Sequence, residues 1–254
     1  MTTTETEAPG VPEAREASLA AAGSPAKRSY VRRMFSEIAP RYDLLNRLLS
    51  AGIDRSWRRE ALSRLGWERS PDGLYLDLCA GTLDVGAALC RQPGFRGMIV
   101  GADFAEPMLR AGRGKAPRLT LAPVVADALA LPLGDASCQG ALVAFGIRNV
   151  ADLDAALVEV RRVLAPGARF VILELSTPRA RALRALYLFY FRRILPLVGG
   201  LISGHATAYR YLPESVRNFP ELEALAARMR VTGYAAVTYA TLTLGIAAIH
   251  VGEK

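Results

Sequence analysis

The chain has 254 residues, of which 51% are apolar, and it carries a formal net charge of +8. A chain of this length can bury one sizeable core, so a second domain is not required. Its three cysteines lack C-x-x-C spacing and its two histidines lie far apart, so neither a metal site nor a disulfide framework is indicated.

The first 26 residues are rich in Thr, Glu, Ala, Pro and Gly, a composition that predicts a disordered tail. The segment contains several acids and no apolar block, unlike a signal peptide or an Arg-rich presequence. No segment of the sequence is predicted to span a membrane. We therefore expect a cytoplasmic protein in which residues 27–254 form a single domain.

Two predicted helices follow the tail and precede the first strand. Helical periodicity runs from about 30 to 49 and again from 53 to 65, with breaks at Pro40 and Gly52. From Lys27 to Arg69 there are 11 Lys or Arg residues against 5 acids. Such a basic surface suits nucleic acid, anionic lipid or an acidic protein, and solvated arginines on amphipathic helices explain it equally well.

The centre of the chain alternates between β-rich apolar runs and helical segments. The predicted strands cover 74–78, 97–102, 119–125, 140–144 and 170–175. The predicted helices between them cover 85–91, 107–113 and 153–164. This alternation predicts an α/β fold whose parallel sheet is covered by helices on both faces. Two further strands, 235–241 and 242–251, are predicted at the end of the chain.

Residues 180–217 form a predicted insertion before the last two strands. Leucines and aromatic residues cluster between Leu186 and Leu201, and the range from Arg179 to Arg217 has 7 Lys or Arg against 1 acid. Pro196 and the glycine pair that follows argue against one long spanning helix. We expect a lid over an apolar substrate, with a membrane-surface helix and a purely structural helix as the alternatives.

The junction after the first strand is the most informative stretch. In LYLDLCAGTLD, residues 74–84, the strand carries Asp77, the chain turns at Gly81, and Asp103 closes the next strand. A ligand can approach the backbone closely at such a turn, and the second acid suits ribose hydroxyls. The glycine pattern does not match the G-x-G-x-x-G of a dinucleotide fold. The acids and hydroxyls of this turn, including Asp77 and Thr82, instead suit the cation S-adenosylmethionine. We therefore favour a binding site for this cofactor over an ordinary strand–turn–helix junction.

Six motifs occur in one order: MFSEIAPRYDLLNRLLSAGIDRSWRRE, the turn above, ADALALP, FGIRNVAD, RVLAPG and YRYLPESVRNFP. Together they resemble the C-methyltransferases of menaquinone and ubiquinone biosynthesis, the UbiE/MenG type. The resemblance covers nearly everything outside the N-terminal tail, and FGIRN and YRYLPES are its most specific parts. It implies a Rossmann-like class I methyltransferase sheet, mostly parallel with a C-terminal antiparallel hairpin, to which N-terminal helices (27–69) and lid helices are added.

The predicted cofactor-binding set is Asp77, Gly81, Thr82, Asp103, Asp127, Ala128 and Ala144. Thr82 and the backbone at Gly81 are expected to approach the methionine part, and Asp103 the ribose hydroxyls. The resemblance assigns Asp127 and Ala128 to the adenine, because they match the family's ADA-x-x-LP pattern. An aspartate at that position also suits a helix cap.

Two positions depart from the family's pattern. Leu83 replaces the second glycine of the usual turn, so its side chain either crowds the methionine moiety or points into the sheet. Ala144 stands where many members carry a serine that contacts the cofactor. One hydrogen bond to the cofactor is therefore expected to be missing, which bears on affinity more than on the identity of the cofactor.

The resemblance implies that the methyl acceptor is a ring carbon of a polyprenylated hydroquinone, with demethylmenaquinol as the first choice. A hydroxyl of that ring must lose a proton, and the ring must shed another after methylation. Arg148 is expected to stabilise the phenolate or order a water, and Asn149 to orient the ring. Tyr42, His205 and Tyr209 are expected to complete the pocket or relay the proton. For His205, a surface or capping role is the common alternative.

Other functions stay open at this point. A benzoquinol of the ubiquinone pathway or a small aromatic metabolite are alternative acceptors. The hypothesis of an RNA methyltransferase is weakened, because it predicts an N-P-P-Y-like tetrad after the fourth strand and FGIRN stands there instead. No nucleic-acid partner is therefore predicted. A silent assembly subunit has only Leu83 in its favour. Peripheral contact with the inner face of the membrane and an oligomer are both compatible with the sequence.

Overall fold

A seven-stranded sheet forms the centre of the protein. The computed structural model describes residues 11–117, 119–194 and 206–254. The strands are β1 Leu74–Leu78, β2 Met98–Asp103, β3 Leu121–Val125, β4 Cys138–Ala144, β5 Leu164–Leu175, β6 Ala235–Leu242 and β7 Ala247–Glu253. Their order is β3-β2-β1-β4-β5-β7-β6. The strands β1 to β5 pair in parallel, and β7 pairs antiparallel with β5 and β6, which confirms the predicted fold class.

The helices flank this sheet and cover one of its ends. They are α1 Val11–Ala21, α2 Lys27–Ile38, α3 Tyr42–Leu49, α4 Ile53–Leu65, α5 Asp84–Cys90, α6 Glu106–Ala111, α7 Leu153–Val163, α8 Arg181–Phe189, α9 Ala206–Asn218 and α10 Leu222–Val231. Both predicted breaks are present: Pro40 lies in a 3₁₀ turn between α2 and α3, and Gly52 precedes α4 with φ 76°. A glycine fits there because that backbone conformation is left-handed.

Apolar side chains are buried on both faces of the central strands, as expected of parallel strands between helices. On one face, Leu62 and Leu65 of α4 pack with residues of β1 and β5. On the other, Leu157 and Val160 of α7 pack with α10 and the opposite sides of the same strands. This double burial explains why the strands read as nearly continuous apolar runs in the sequence.

The prediction of a disordered tail over residues 1–26 is wrong for α1. Ala17 and Ala20 of this helix are buried, and α1 packs along α9 of the lid. The Asn218 amide donates a hydrogen bond to the Ala21 carbonyl (3.0 Å). Small alanine side chains let two helices approach closely, so the tail gains a buried face that its composition does not reveal. Residues 1–10 lie outside the described residues.

The strand order reverses between β1 and β4, where connections leave the sheet in opposite directions. Such a switch point opens a crevice at the carboxyl ends of the strands. In this protein α2, α3, α8 and α9 lie over that crevice. Their contacts form a separate apolar cluster that includes Met34, Leu45, Tyr187 and Tyr211. The N-terminal helices and the lid therefore share one core above the sheet.

Candidate active site

The turn after β1 is held by the carboxylate of Asp103. One oxygen of Asp103 accepts a hydrogen bond from the Gly81 N–H (2.9 Å) and the other from the Ala105 N–H (2.8 Å). Burial raises the pKa of Asp103. A carboxylate has about four acceptor positions, so these two bonds leave capacity for a ligand. The sequence placed Asp103 opposite the turn, and the structure joins the two directly.

A cleft opens beside this turn at the ends of β1 and β4, and we term it the strand-end cleft. Its lining includes Phe35, Tyr42, Cys79, Gly81, Asp103, Met108, Asp127, Ala128, Ala144, Phe145 and Asn149. Five of the seven residues predicted to bind the cofactor are therefore brought together. Asp127 also forms an ion pair with Arg28 of α2 (2.7 Å) and accepts from the Leu129 N–H (3.0 Å).

Asp77 and Thr82 are not among the residues that line the strand-end cleft. Asp77 is buried, and its carboxylate accepts a hydrogen bond from the Gly86 N–H of α5 (2.8 Å). Burial raises the pKa of Asp77 to about 7. The Thr82 hydroxyl donates to Asp43 of α3 (2.6 Å). Both side chains hold the turn through these hydrogen bonds without lining the cleft. Their direct contact with a cofactor stays a prediction.

Leu83 points into the sheet and does not crowd the cleft. Its backbone is left-handed (φ 64°), a conformation that the glycine expected here from the resemblance would adopt without strain. Its side chain is 2% exposed and belongs to the apolar core. It packs against Gly101 so closely that a Cβ on that glycine would lie 2.5 Å from a Leu83 methyl. Burial of the leucine thus offsets the strained backbone.

A second space, termed the apolar cavity, holds about 1350 Å³ of empty space, part of which is open solvent. It lies between the N-terminal helices and the lid, and its lining includes Met34, Leu45, Trp57, Arg148, Leu175, Tyr187, Phe191, Tyr211, Leu212 and Ile246. Phe35, Tyr42 and Phe145 line both spaces. Phe145 has a positive φ (62°), a strained conformation of the kind found at functional sites. These three rings form the boundary between cleft and cavity.

Arg148 reaches the apolar cavity but is already paired. Its Nη1 donates to Glu174 (2.5 Å) and to the Phe145 carbonyl (2.6 Å). The side chains of Arg148 and Glu174 are 8% and 3% exposed. Glu174 therefore neutralises the guanidinium, and the role of Arg148 in stabilising the phenolate or ordering a water stays a prediction. Sequence reasoning missed Glu174, although an acid inside the apolar run VILEL was a usable signal.

The remaining catalytic candidates differ in their position relative to the cleft and the cavity. Asn149 lines the strand-end cleft, and its amide oxygen accepts from the Tyr211 hydroxyl (3.1 Å), so it lies nearer the cofactor side than the ring pocket. Tyr42 stands at the boundary, and burial raises the pKa of its hydroxyl. His205 lies outside the described residues. Tyr209 belongs to α9, and the structure describes only its backbone.

The strand-end cleft has the groups that S-adenosylmethionine requires. Asp103 offers acceptors for ribose hydroxyls, Asp127 offers an acceptor for an exocyclic amine, and the thioether of Met108 and the ring of Phe35 supply apolar surface. A fold of this topology, with such a cleft at its switch point, defines the class I S-adenosylmethionine-dependent methyltransferases.

Comparison with known proteins narrows this class. Residues 24–254 match the model of the ubiE/COQ5 methyltransferase family, and the chain belongs to that family. It is 53% identical to a demethylmenaquinone methyltransferase of Thermus thermophilus over 87% of this chain and 100% of the relative. It is 47% identical to the ubiquinone/menaquinone biosynthesis C-methyltransferase UbiE of Geobacter sulfurreducens over 90% of each. These relatives confirm the predicted family, the enzyme class and the cofactor.

Solved structures agree on the fold. A SAM-dependent methyltransferase from Thermotoga maritima superposes with a TM-score of 0.62 at 18% identity, covering 87% of this chain and 99% of its own. Among the described residues, no helix is both long and apolar enough to cross a membrane.

Proposed function

We propose that the protein transfers a methyl group to a ring carbon of demethylmenaquinol and so produces menaquinol. The observation that carries this proposal is the meeting of the strand-end cleft with a larger apolar cavity at Phe35, Tyr42 and Phe145. An apolar space lined by the N-terminal helices and the lid suits a fused aromatic ring with part of a prenyl tail. Relatives in Thermus thermophilus and Deinococcus radiodurans, 53% and 46% identical, bear the name demethylmenaquinone methyltransferase.

S-adenosylmethionine, when bound, supplies an electrophilic methyl group. The residues of the chain bring the acceptor to it: Phe35 and Phe145 exclude water at the boundary, and Tyr42 presents its hydroxyl there. Arg148 donates from the wall of the apolar cavity to a ring oxygen, which favours the phenolate and makes the ring carbon more nucleophilic. The neutralising Glu174 fixes the guanidinium without leaving a free buried charge.

A benzoquinol of the ubiquinone pathway is the second candidate acceptor, since the Geobacter relative carries both quinones in its name. A small aromatic metabolite is the third. The mainly apolar lining of the cavity, which the N-terminal helices and the lid both contribute, favours a prenylated substrate over a single small ring.

The test is methyl transfer from labelled S-adenosylmethionine to reduced demethylmenaquinone and, in parallel, to the matching demethylated benzoquinol. We expect label in the menaquinol. Label only in the benzoquinol would change the ring assignment. Label in neither, with the cofactor still bound, would contradict quinol methylation and direct the assay to small phenols.

We further propose that the side of the molecule formed by α3 and α8 contacts an anionic membrane at its inner face. Leu44 and Leu48 of α3 and Leu186 and Phe189 of α8 are each more than half exposed. The same two helices line the apolar cavity through buried residues. Exposed arginines accompany them: Arg41, Arg47, Arg181, Arg184 and Arg193. A prenylated substrate dissolves in lipid, so this arrangement suits its entry.

A further inference from the structure

Tyr187 on α8 of the lid is a buried polar residue in the wall of the apolar cavity. Its exposed fraction is 6%, and its ring stacks on Phe191 with centroids 4.2 Å apart. Within the described part of the chain, its hydroxyl has no hydrogen-bond partner. A buried hydroxyl without a partner costs free energy, so native proteins rarely keep one without a reason.

The hydroxyl lies in a charged neighbourhood. Burial raises the pKa of Tyr187 far above its usual range, the nearby Arg148 guanidinium lowers it, and the Glu174 carboxylate raises it further. The group therefore stays protonated at neutral pH and keeps a proton to donate. Tyr211 on α9 provides a contrast, because its hydroxyl is already committed to Asn149 (3.1 Å).

We propose that Tyr187 is a specificity-determining residue that donates a hydrogen bond to a ring oxygen of the quinol, acting alongside Arg148. This inference rests on the proposed function. Two donors in an otherwise mainly apolar wall fix the orientation of a flat ring, whereas apolar contacts alone allow it to rotate or slide. A substrate without that oxygen would leave the Tyr187 hydroxyl unpaired and would therefore bind more weakly.

Tyr187→Phe removes only the hydroxyl, and Tyr234→Phe is the matched control. The Tyr234 hydroxyl donates to the Leu157 carbonyl (2.9 Å) in the core under α7, and Tyr234 is 3% exposed. Tyr234 is not among the residues that line the cleft or the cavity. The two variants thus delete the same group from a tyrosine with a hydrogen-bond partner and from one that has none within the described ranges.

The experiment measures binding of a reduced 2-prenyl-1,4-naphthoquinone to the cofactor-free protein under anaerobic conditions, with tryptophan fluorescence as the signal. Trp57 lines the apolar cavity and reports binding, and melting temperatures and the Kd for S-adenosylmethionine are measured beside it. For Tyr187→Phe we expect the Kd for the quinol to be about five- to tenfold higher than that of the wild type. Its Kd for the cofactor should be unchanged, and its melting temperature should not fall. For Tyr234→Phe we expect a lower melting temperature and wild-type quinol binding.

Wild-type quinol affinity in Tyr187→Phe would overturn the inference and leave the proposed function standing. A lower melting temperature in Tyr187→Phe would also overturn it, since the hydroxyl would then have a structural partner. Failure of the wild-type protein to bind the naphthoquinol would overturn the proposed function and the inference together.

Discussion

Arg148 and Glu174 lie buried side by side between the end of β5 and the boundary of the two spaces. Removal of one partner of a buried ion pair leaves the other charge without compensation, at a cost of about 3 to 5 kcal/mol. We expect Arg148→Ala to lower the free energy of unfolding by that order and also to reduce turnover. Urea unfolding followed by circular dichroism measures the first effect.

The double variant Arg148→Met with Glu174→Gln separates stability from catalysis. It removes both charges, so its free energy of unfolding should be close to that of the wild type, while its turnover on the quinol stays low. Turnover near wild type in this variant would show that Arg148 does not stabilise the phenolate.

Asp103 is the side chain whose loss should weaken cofactor binding most directly. Asp103→Ala removes the acceptors for the ribose and also releases the Gly81 N–H of the turn. We expect the Kd for S-adenosylmethionine, measured by calorimetry, to rise at least about tenfold. Asp72→Ala, an exposed acid paired with Arg96, is the control and should bind normally. Equal affinities in the two variants would remove Asp103 from the binding set.

Asp77 gives stability a distinctive pH dependence. Burial raises its pKa in the folded state to about 7, from a reference value of 3.8. Its contribution to stability is complete below about pH 4 and is lost as the pH rises towards 7, because only the unfolded state ionises in that interval. Asp77→Asn stays neutral, so its stability relative to wild type should increase by up to about 4 kcal/mol between pH 4 and 7. Parallel stability curves for the two proteins would contradict this.

At the scale of secondary-structure elements, a polar network joins α3 to the turn after β1. The Lys115 ammonium donates to Asp43 of α3 and to Asp84 of α5, both at 2.6 Å. Although burial opposes the shift, hydrogen bonds from Lys115 and Thr82 lower the pKa of Asp43. Since Tyr42 precedes Asp43, this network also positions a residue of the cleft boundary.

Lys115→Met keeps the apolar stem and removes the ammonium. We expect a rise of about three- to tenfold in the Kd for S-adenosylmethionine and faster amide exchange in α3, measured by mass spectrometry. Lys254→Met is the control, because Lys254 donates to the Arg162 carbonyl, and neither residue lines the strand-end cleft. Unchanged exchange in α3 of Lys115→Met would show that apolar contacts alone hold the helix.

The elements differed in how well their sequences predicted them. The helix predicted over 53–65 coincides with α4, because its apolar spacing is regular and Gly52 marks its start. The helix α1 was missed, since its alanine face becomes a buried surface only when α9 lies against it. Local composition records a segment's own residues and carries no information about its partner.

At the scale of the whole molecule, the proposed membrane contact predicts salt-dependent binding to lipid. The protein should sediment with vesicles containing anionic phospholipid at low salt and be released as salt is raised. Leu48→Ser with Phe189→Ser changes two residues that are more than half exposed, so it should weaken sedimentation with little loss of stability. Wild-type sedimentation of this variant would place the contact elsewhere.

The sequence by itself determined the alternating sheet, the turn at Gly81, the acid at Asp103 and the resemblance to a family. Each of these depends on residues close together in the chain or on a motif with fixed spacing. Only the tertiary structure showed that Leu83 packs on Gly101, that Glu174 neutralises Arg148 and that the Tyr187 hydroxyl has no hydrogen-bond partner among the described residues. These facts depend on which distant side chains meet, because pairing, burial and charge compensation are properties of neighbours in space.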